Sequence, residues 1–268
     1  MWFVKRVNAM RDLVALLVLL GYALLAWAVR PGSDGPALDA VLAAARARGT
    51  LRVAVDVGFR PFADQVDGSL VGYDIELAQA VAAQMGLTAE FVPTGYDALY
   101  DTLTSGRADM IASALPYAPE QGYRARFSSV YFDVGQLLVT PAGSPVGSAA
   151  ELAGRRVGVA LGSDADALAR RMASDGAFTL RSSYDDPAAA LADLRAGQLD
   201  AVIADAVAAR SAVQGAPGLR IAAALSSEPL VLGMPRAAFQ LEAEVNQALE
   251  DLRQAGLFEQ LNARWLRG

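Results

Sequence analysis

Leu103-Thr104-Ser105-Gly106-Arg107-Ala108-Asp109-Met110-Ile111-Ala112 returns, altered but recognisable, as Leu194-Arg195-Ala196-Gly197-Gln198-Leu199-Asp200-Ala201-Val202-Ile203-Ala204. Each copy reads as a helix end, a C-cap glycine, a short turn, an aspartate and an apolar strand. Each is preceded by a similar opener, Thr50-Leu51-Arg52-Val53-Ala54-Val55 in one case and Arg155-Arg156-Val157-Gly158-Val159-Ala160 in the other. The duplication predicts two similar α/β lobes. Two lobes in one polypeptide leave a cleft between them, and clefts of that kind hold small molecules. Asp109 and Asp200, despite their place in the repeat, read as turn and strand-start residues with no ligand role.

Working outward, apolar alternation and β-branched content predict a strand over 51–58, leading into the turn Phe59-Arg60-Pro61-Phe62. A helix is predicted over 72–85, with Ile75, Ala78, Val81, Ala82 and Met85 at helical spacing, Asp74 and Glu76 near its positive end, and Gly86 closing it. Strands are predicted over 89–92 and 109–115 with a helix over 97–104 between them, an alternation that implies parallel pairing through helical crossovers. A strand over 131–139 is predicted to leave the first lobe. The second lobe repeats the scheme with strands at 157–160, 179–182 and 201–205 and helices at 164–174 and 187–196. A strand over 230–233 and helices over 240–255 and 257–266 follow a complete second lobe, so they are expected to return and finish the first. Two crossings make a hinge.

The chain has 268 residues, 54% of them hydrophobic, enough to bury a sizeable core. Its net charge of −6, with no basic stripe, argues against a nucleic-acid partner. It contains no cysteine and no histidine, which removes disulfides, thiolate or imidazole metal sites and the usual catalytic triads. No cofactor is expected. Residues 13–29 form an uncharged, mostly apolar run preceded by Lys5, Arg6 and Arg11, the charge order of a segment that enters a membrane with its N-terminus inside. A cleaved signal peptide and a retained anchor both fit residues 1–30, and everything after them is expected to be exported, to the periplasm or the outer face of the membrane. Residues 31–49 read as a linker or a short leading helix.

An ordered set of short segments carries a resemblance: Gly49 to Val53, Pro61-Phe62, Gly68 to Ala78 (GSLVGYDIELA), Ser105 to Asp109, Phe127-Ser128, Val157 to Val159, and the ending from Leu257-Phe258 to Trp265-Leu266. In this order they resemble the periplasmic solute-binding proteins of amino-acid ABC transporters, the polar amino acid binding group, from about residue 49 to 265. The resemblance implies a two-lobed periplasmic-binding-protein fold of type II, each lobe a central, mostly parallel sheet flanked by helices. It places lobe 1 at 50–134 and 230–268 and lobe 2 at 135–229. It also implies a monomer that captures a small polar amino acid or related amine by lobe closure and delivers it to an ABC permease in the membrane.

In that family an arginine after a Thr-Pro-Glu segment grips the ligand's α-carboxylate, because a guanidinium offers two parallel donors. Here Ala118-Pro119-Glu120 is followed by Gln121, which supplies hydrogen bonds without charge. Arg124, one helical turn further on, is a displaced candidate. Ser113 is kept where small hydroxyl residues help bind the ligand, but Ala114 and Pro116 are not hydroxylic. At the start of the second-lobe helix Ser163 is kept and Asp164 replaces a second hydroxyl. Asp205 matches the family's acceptor for an α-amino group, and Phe59 and Tyr96 match the aromatics that sandwich the ligand side chain, with Tyr117 an additional candidate. Aromatic faces beside carboxylates favour an organic cation. Alternatives from other classes are a ligand-sensing ectodomain and a dehydratase-like cleft enzyme on the same scaffold, whose acid would have to be Asp or Glu.

Overall fold

The computed structural model describes residues 39–173, 178–215 and 218–266. The chain opens with helix α1 (Ala40–Arg48), then β1 (Thr50–Val55), a hairpin of β2 (Asp64–Val66) and β3 (Ser69–Val71), and helix α2 (Tyr73–Gln84). It continues through β4 (Thr88–Pro93), α3 (Leu99–Thr104), β5 (Met110–Ile111) and β6 (Ala125–Phe127). A short strand β7 (Phe132–Asp133) leads to the second lobe: β8 (Gln136–Pro141), β9 (Arg156–Ala160), α4 (Asp164–Ala173), β10 (Thr179–Tyr184), α5 (Pro187–Arg195), β11 (Ala201–Asp205), α6 (Ala206–Gly215) and β12 (Leu219–Ala224). The return runs through β13 (Pro229–Leu230) and β14 (Gly233–Pro235) to α7 (Phe239–Gln254) and α8 (Leu257–Trp265).

Two five-stranded sheets result, ordered β4-β1-β5-β14-β6 and β10-β9-β11-β8-β12. In each, the three repeat-derived strands pair in parallel and the fourth, β14 or β8, runs against them. The fold is thus the expected α/β pair of mostly parallel sheets, and β14 does come back to complete the first. β7 and β13, where the chain passes from one sheet to the other and back, pair in a separate two-stranded ribbon, Leu230 opposite Phe132.

The repeat has a physical purpose that shows in the aspartates. Asp109 accepts a hydrogen bond from the backbone N–H of Arg52 (2.9 Å) and from its guanidinium (2.8 Å), and Asp200 does the same for Arg156 (2.8 and 2.9 Å). Each carboxylate fastens the start of a central strand to its parallel neighbour, the structural role expected of both.

Several elements differ from the sequence reading. The strand expected over 109–115 ends at Ile111, because Ala114 adopts a left-handed conformation (φ 42°) and its N–H is drawn to the buried carboxylate of Asp74. The strand expected over 131–139 is broken at Val134 and Gly135, where the Gly135 N–H turns to Asp133 (2.8 Å). The strand expected over 230–233 likewise splits into β13 and β14. Of the two readings of residues 31–49, the short leading helix is the one seen over Ala40–Arg48, capped by Asp39 and with Leu42 and Ala45 fully buried. The apolar run at 13–29 lies outside the described residues. Among the described residues no helix is long and apolar enough to cross a membrane.

Candidate functional site

The end of β1 runs into a tight turn, in which Phe62 and Ala63 both donate to the Phe59 carbonyl (2.9 and 3.0 Å) and the Arg60–Pro61 peptide is cis. The N-terminus of α2 clasps this turn: Tyr73 N–H donates to Pro61 O and Asp74 N–H to Phe62 O, both at 2.9 Å. Orphan donors of a helix start are satisfied in this way. The clasp leaves Phe59 stacked on Phe62 (centroids 5.8 Å apart, planes 14° apart) while 57% of Phe59 stays exposed. A neighbouring loop carries Ser113, whose hydroxyl oxygen accepts the Asp56 N–H (2.9 Å).

The loop is pinned from behind by Asp74, which has no solvent exposure. One of its carboxylate oxygens accepts the Ala114 N–H (2.5 Å) and the other the Tyr131 hydroxyl (2.8 Å). Burial disfavours the charged form more than these two donors favour it, so the carboxyl is pushed up to about 7.

In the second lobe, Ser163 donates to Ala160 O (2.7 Å) and accepts the Asp166 N–H (3.1 Å), a helix-capping arrangement that presents Asp164 at the first turn of α4. Asp205 ends β11 and caps α6 through the Ala208 N–H (2.9 Å). Across the ladder it faces Gln136, which is 7% exposed and whose side-chain carbonyl has no hydrogen-bond partner. In the connecting ribbon, Asp133 receives the N–H groups of Gly135 and Glu228 and the Ser227 hydroxyl, fixing the Glu228 backbone beside the cleft.

These pieces bound a hollow of about 610 Å³. Phe59, Tyr96, Ser113, Asp164 and Asp205 line it, together with Asp56, Arg60, Gln136 and Glu228, which the sequence reading did not single out. An adjoining hollow of about 300 Å³ contains Ser163 and shares Gln136, Asp164 and Asp205. Tyr117 and Gln121 line neither. Tyr117 packs edge-on against Phe127 (5.5 Å) and donates its N–H to Pro229 O, while Gln121 sits in the 3-10 turn Pro119–Gln121 with its side-chain carbonyl buried and unpartnered. Arg124 is engaged elsewhere, over the Tyr100 ring (5.3 Å) and paired with Asp101. It borders a separate hollow of the first lobe, so it brings no charge to the cleft.

Four carboxylates therefore face one hollow whose single guanidinium, Arg60, is paired with Asp64. Burial, and then the neighbouring charges of Glu228 and Asp56, hold the Tyr96 hydroxyl above its ordinary range. The lining offers aromatic faces, acceptors and negative potential. Of the lining residues missed in sequence, Gln136 carried a signal, a polar residue heading an otherwise apolar strand, and Asp56 stood at a strand's C-terminal end; Glu228 carried none.

Residues 51–268 match the model of the bacterial extracellular solute-binding proteins, family 3. The chain belongs to this family. It is 28% identical to the L-cystine-binding protein TcyJ of Escherichia coli over 257 residues, 94% of each chain. It is 29% identical over 228 residues to the lysine/arginine/ornithine-binding periplasmic protein of the same organism, covering 81% of this chain and 87% of that one. In fold it resembles the L-cystine solute receptor of Neisseria gonorrhoeae in the unliganded open conformation, with a TM-score of 0.73, 24% identity, and coverage of 84% of this chain and 96% of that one.

Proposed function

We propose that this family 3 protein is an extracytoplasmic receptor that captures a small polar amino acid or related amine in the cleft, closes its lobes on it and delivers it to an ABC permease. The observation that carries this reading is the composition of the hollow: side chains from the first lobe (Phe59, Tyr96, Ser113), from the second (Asp164, Asp205) and from the connecting ribbon (Glu228) share one lining. Only contacts that both lobes make in the closed state can drive closure. The cystine, lysine, arginine and ornithine named for its relatives are amino acids of the size and polarity such a cleft suits, and three of the four carry a cationic side chain.

The same residues support binding without chemistry. The chain lacks histidine and cysteine, and the acid with the most displaced pKa, Asp74, is sealed behind the binding loop and faces Ala114 and Tyr131. We place the receptor outside the cytoplasmic membrane, with residues 13–29 as its export signal or its anchor. Thermal unfolding of the protein in the presence of each standard amino acid and of simple amines tests the reading. A true solute at about a hundred times its dissociation constant adds about 2.7 kcal/mol of stability, and a cationic compound is the expected hit. Conversion of the hit to a product would replace the receptor by an enzyme; absence of any shift would remove the binding role.

A further inference from the structure

The solute class can be narrowed, on the footing that the cleft is a solute-binding site. Asp56, Asp164 and Glu228 enter no ion pair and no side-chain hydrogen bond among the described residues, and Asp205 uses one oxygen to cap α6. The only cation on the lining, Arg60, is turned to Asp64. The acids form two groups on different elements: Asp164 and Asp205 belong to the second lobe, whereas Asp56 follows β1 and Glu228 precedes β13. A second observation concerns Gln136, more than nine-tenths buried, which lies opposite Asp205 with a side-chain carbonyl that no donor satisfies. A buried acceptor without a donor is costly, and here it belongs to the residue paired with Asp205 across the ladder. At the other group, the charges of Glu228 and Asp56 reach the Tyr96 hydroxyl. Among the described residues, no three acidic side chains gather closely enough to hold a metal ion. A spread set of charges suits an extended organic cation better than a monatomic one.

We infer that the solute is an organic dication without a carboxylate, with one amino or guanidino group against Asp164, Asp205 and Gln136, the other against Asp56 and Glu228, and its alkyl chain along Phe59 and Tyr96. A carboxylate in this hollow would meet four like charges and no unpaired cation, and Gln121 and Arg124 both lie off the lining.

Calorimetric titration of the full chain with matched pairs tests this directly. Cadaverine against L-lysine, putrescine against L-ornithine and agmatine against L-arginine each differ by a single carboxylate; L-cystine and L-glutamine complete the panel. The amine of at least one pair is expected to bind at least tenfold tighter than its amino acid, and Asp164→Asn and Glu228→Gln are each expected to lower its affinity at least tenfold. Equal or tighter binding of the amino acids overturns the dication and leaves the receptor standing. Binding of L-cystine or L-glutamine alone does the same. Silence from every compound overturns both.

Discussion

Asp74 ties helix α2 to the Ser113–Ala114 loop through the Ala114 N–H and to the segment before β7 through the Tyr131 hydroxyl, and its titration gives that junction a measurable signature. Its carboxyl stands at an ordinary 3.8 in the unfolded chain and at about 7 when buried. The folded protein therefore binds the extra proton between those values, so stability falls as pH rises from about 4 to about 7 and is level above that. The drop attributable to this group is on the order of 4 kcal/mol. Asp74→Asn is nearly isosteric: its carbonyl can accept the Ala114 N–H while its amide donates to the Tyr131 oxygen. Urea unfolding at a series of pH values should show the slope flattened in this variant, and an unchanged slope would assign the titration elsewhere. Much at this scale was legible beforehand. Asp205, Asp164, Phe59, Tyr96 and Ser113 all reach the lining. Gln121 does not, because position along an aligned segment says nothing of which way the 3-10 turn Pro119–Gln121 faces its side chains, and Tyr117 does not, because its ring packs against Phe127.

Helix α2 is the element on which the first half of the cleft depends. Its N-terminal N–H groups hold the Phe59 to Phe62 turn, and its approach is so close that a Cβ on Gly72 would lie 2.1 Å from the Phe62 carbonyl oxygen, at a φ of 141° that side chains avoid. Gly72→Ala is expected to cost about 3 kcal/mol or more in chemical denaturation and to weaken solute binding as well, since the turn must move to admit the methyl. A variant with normal stability would mean that the clasp is slack. Helix α2 was readable from the spacing of Ile75, Ala78, Val81 and Ala82, all of them buried. The hairpin β2–β3 escaped notice although Asp67-Gly68 at its tip, both at positive φ (50° and 80°), is a strong hairpin signal. Strands β5 and β7 proved shorter than expected because side chains, one distant in sequence and one close by, capture backbone donors that a ladder would otherwise use. Asp74 does so at Ala114 and Asp133 at Gly135.

At the scale of the whole molecule, the two crossings press against each other: a Cβ on Gly135 would meet the Ser226 carbonyl oxygen at 2.3 Å. The duplication in the sequence announced two lobes and two crossings, but the pairing of those crossings into one ribbon depends on tertiary contact and had no local sign. Asp133 locks that ribbon by gathering Gly135, Ser227 and Glu228. Glu228 is thereby tied to the ribbon where the chain crosses between the lobes, whereas Asp164 and Asp205 belong to elements of the second lobe. If the proposed closure turns about this ribbon, a carboxylate there travels little and would meet the proposed cation while the jaws are still apart, and those on the second lobe would engage only as they shut. Stopped-flow measurements with a bound cation should therefore divide the work: Glu228→Gln slows capture, and Asp164→Asn shortens residence with capture nearly untouched. The protein's speed of uptake and its grip would then be set by different acids, and each could be tuned without disturbing the other.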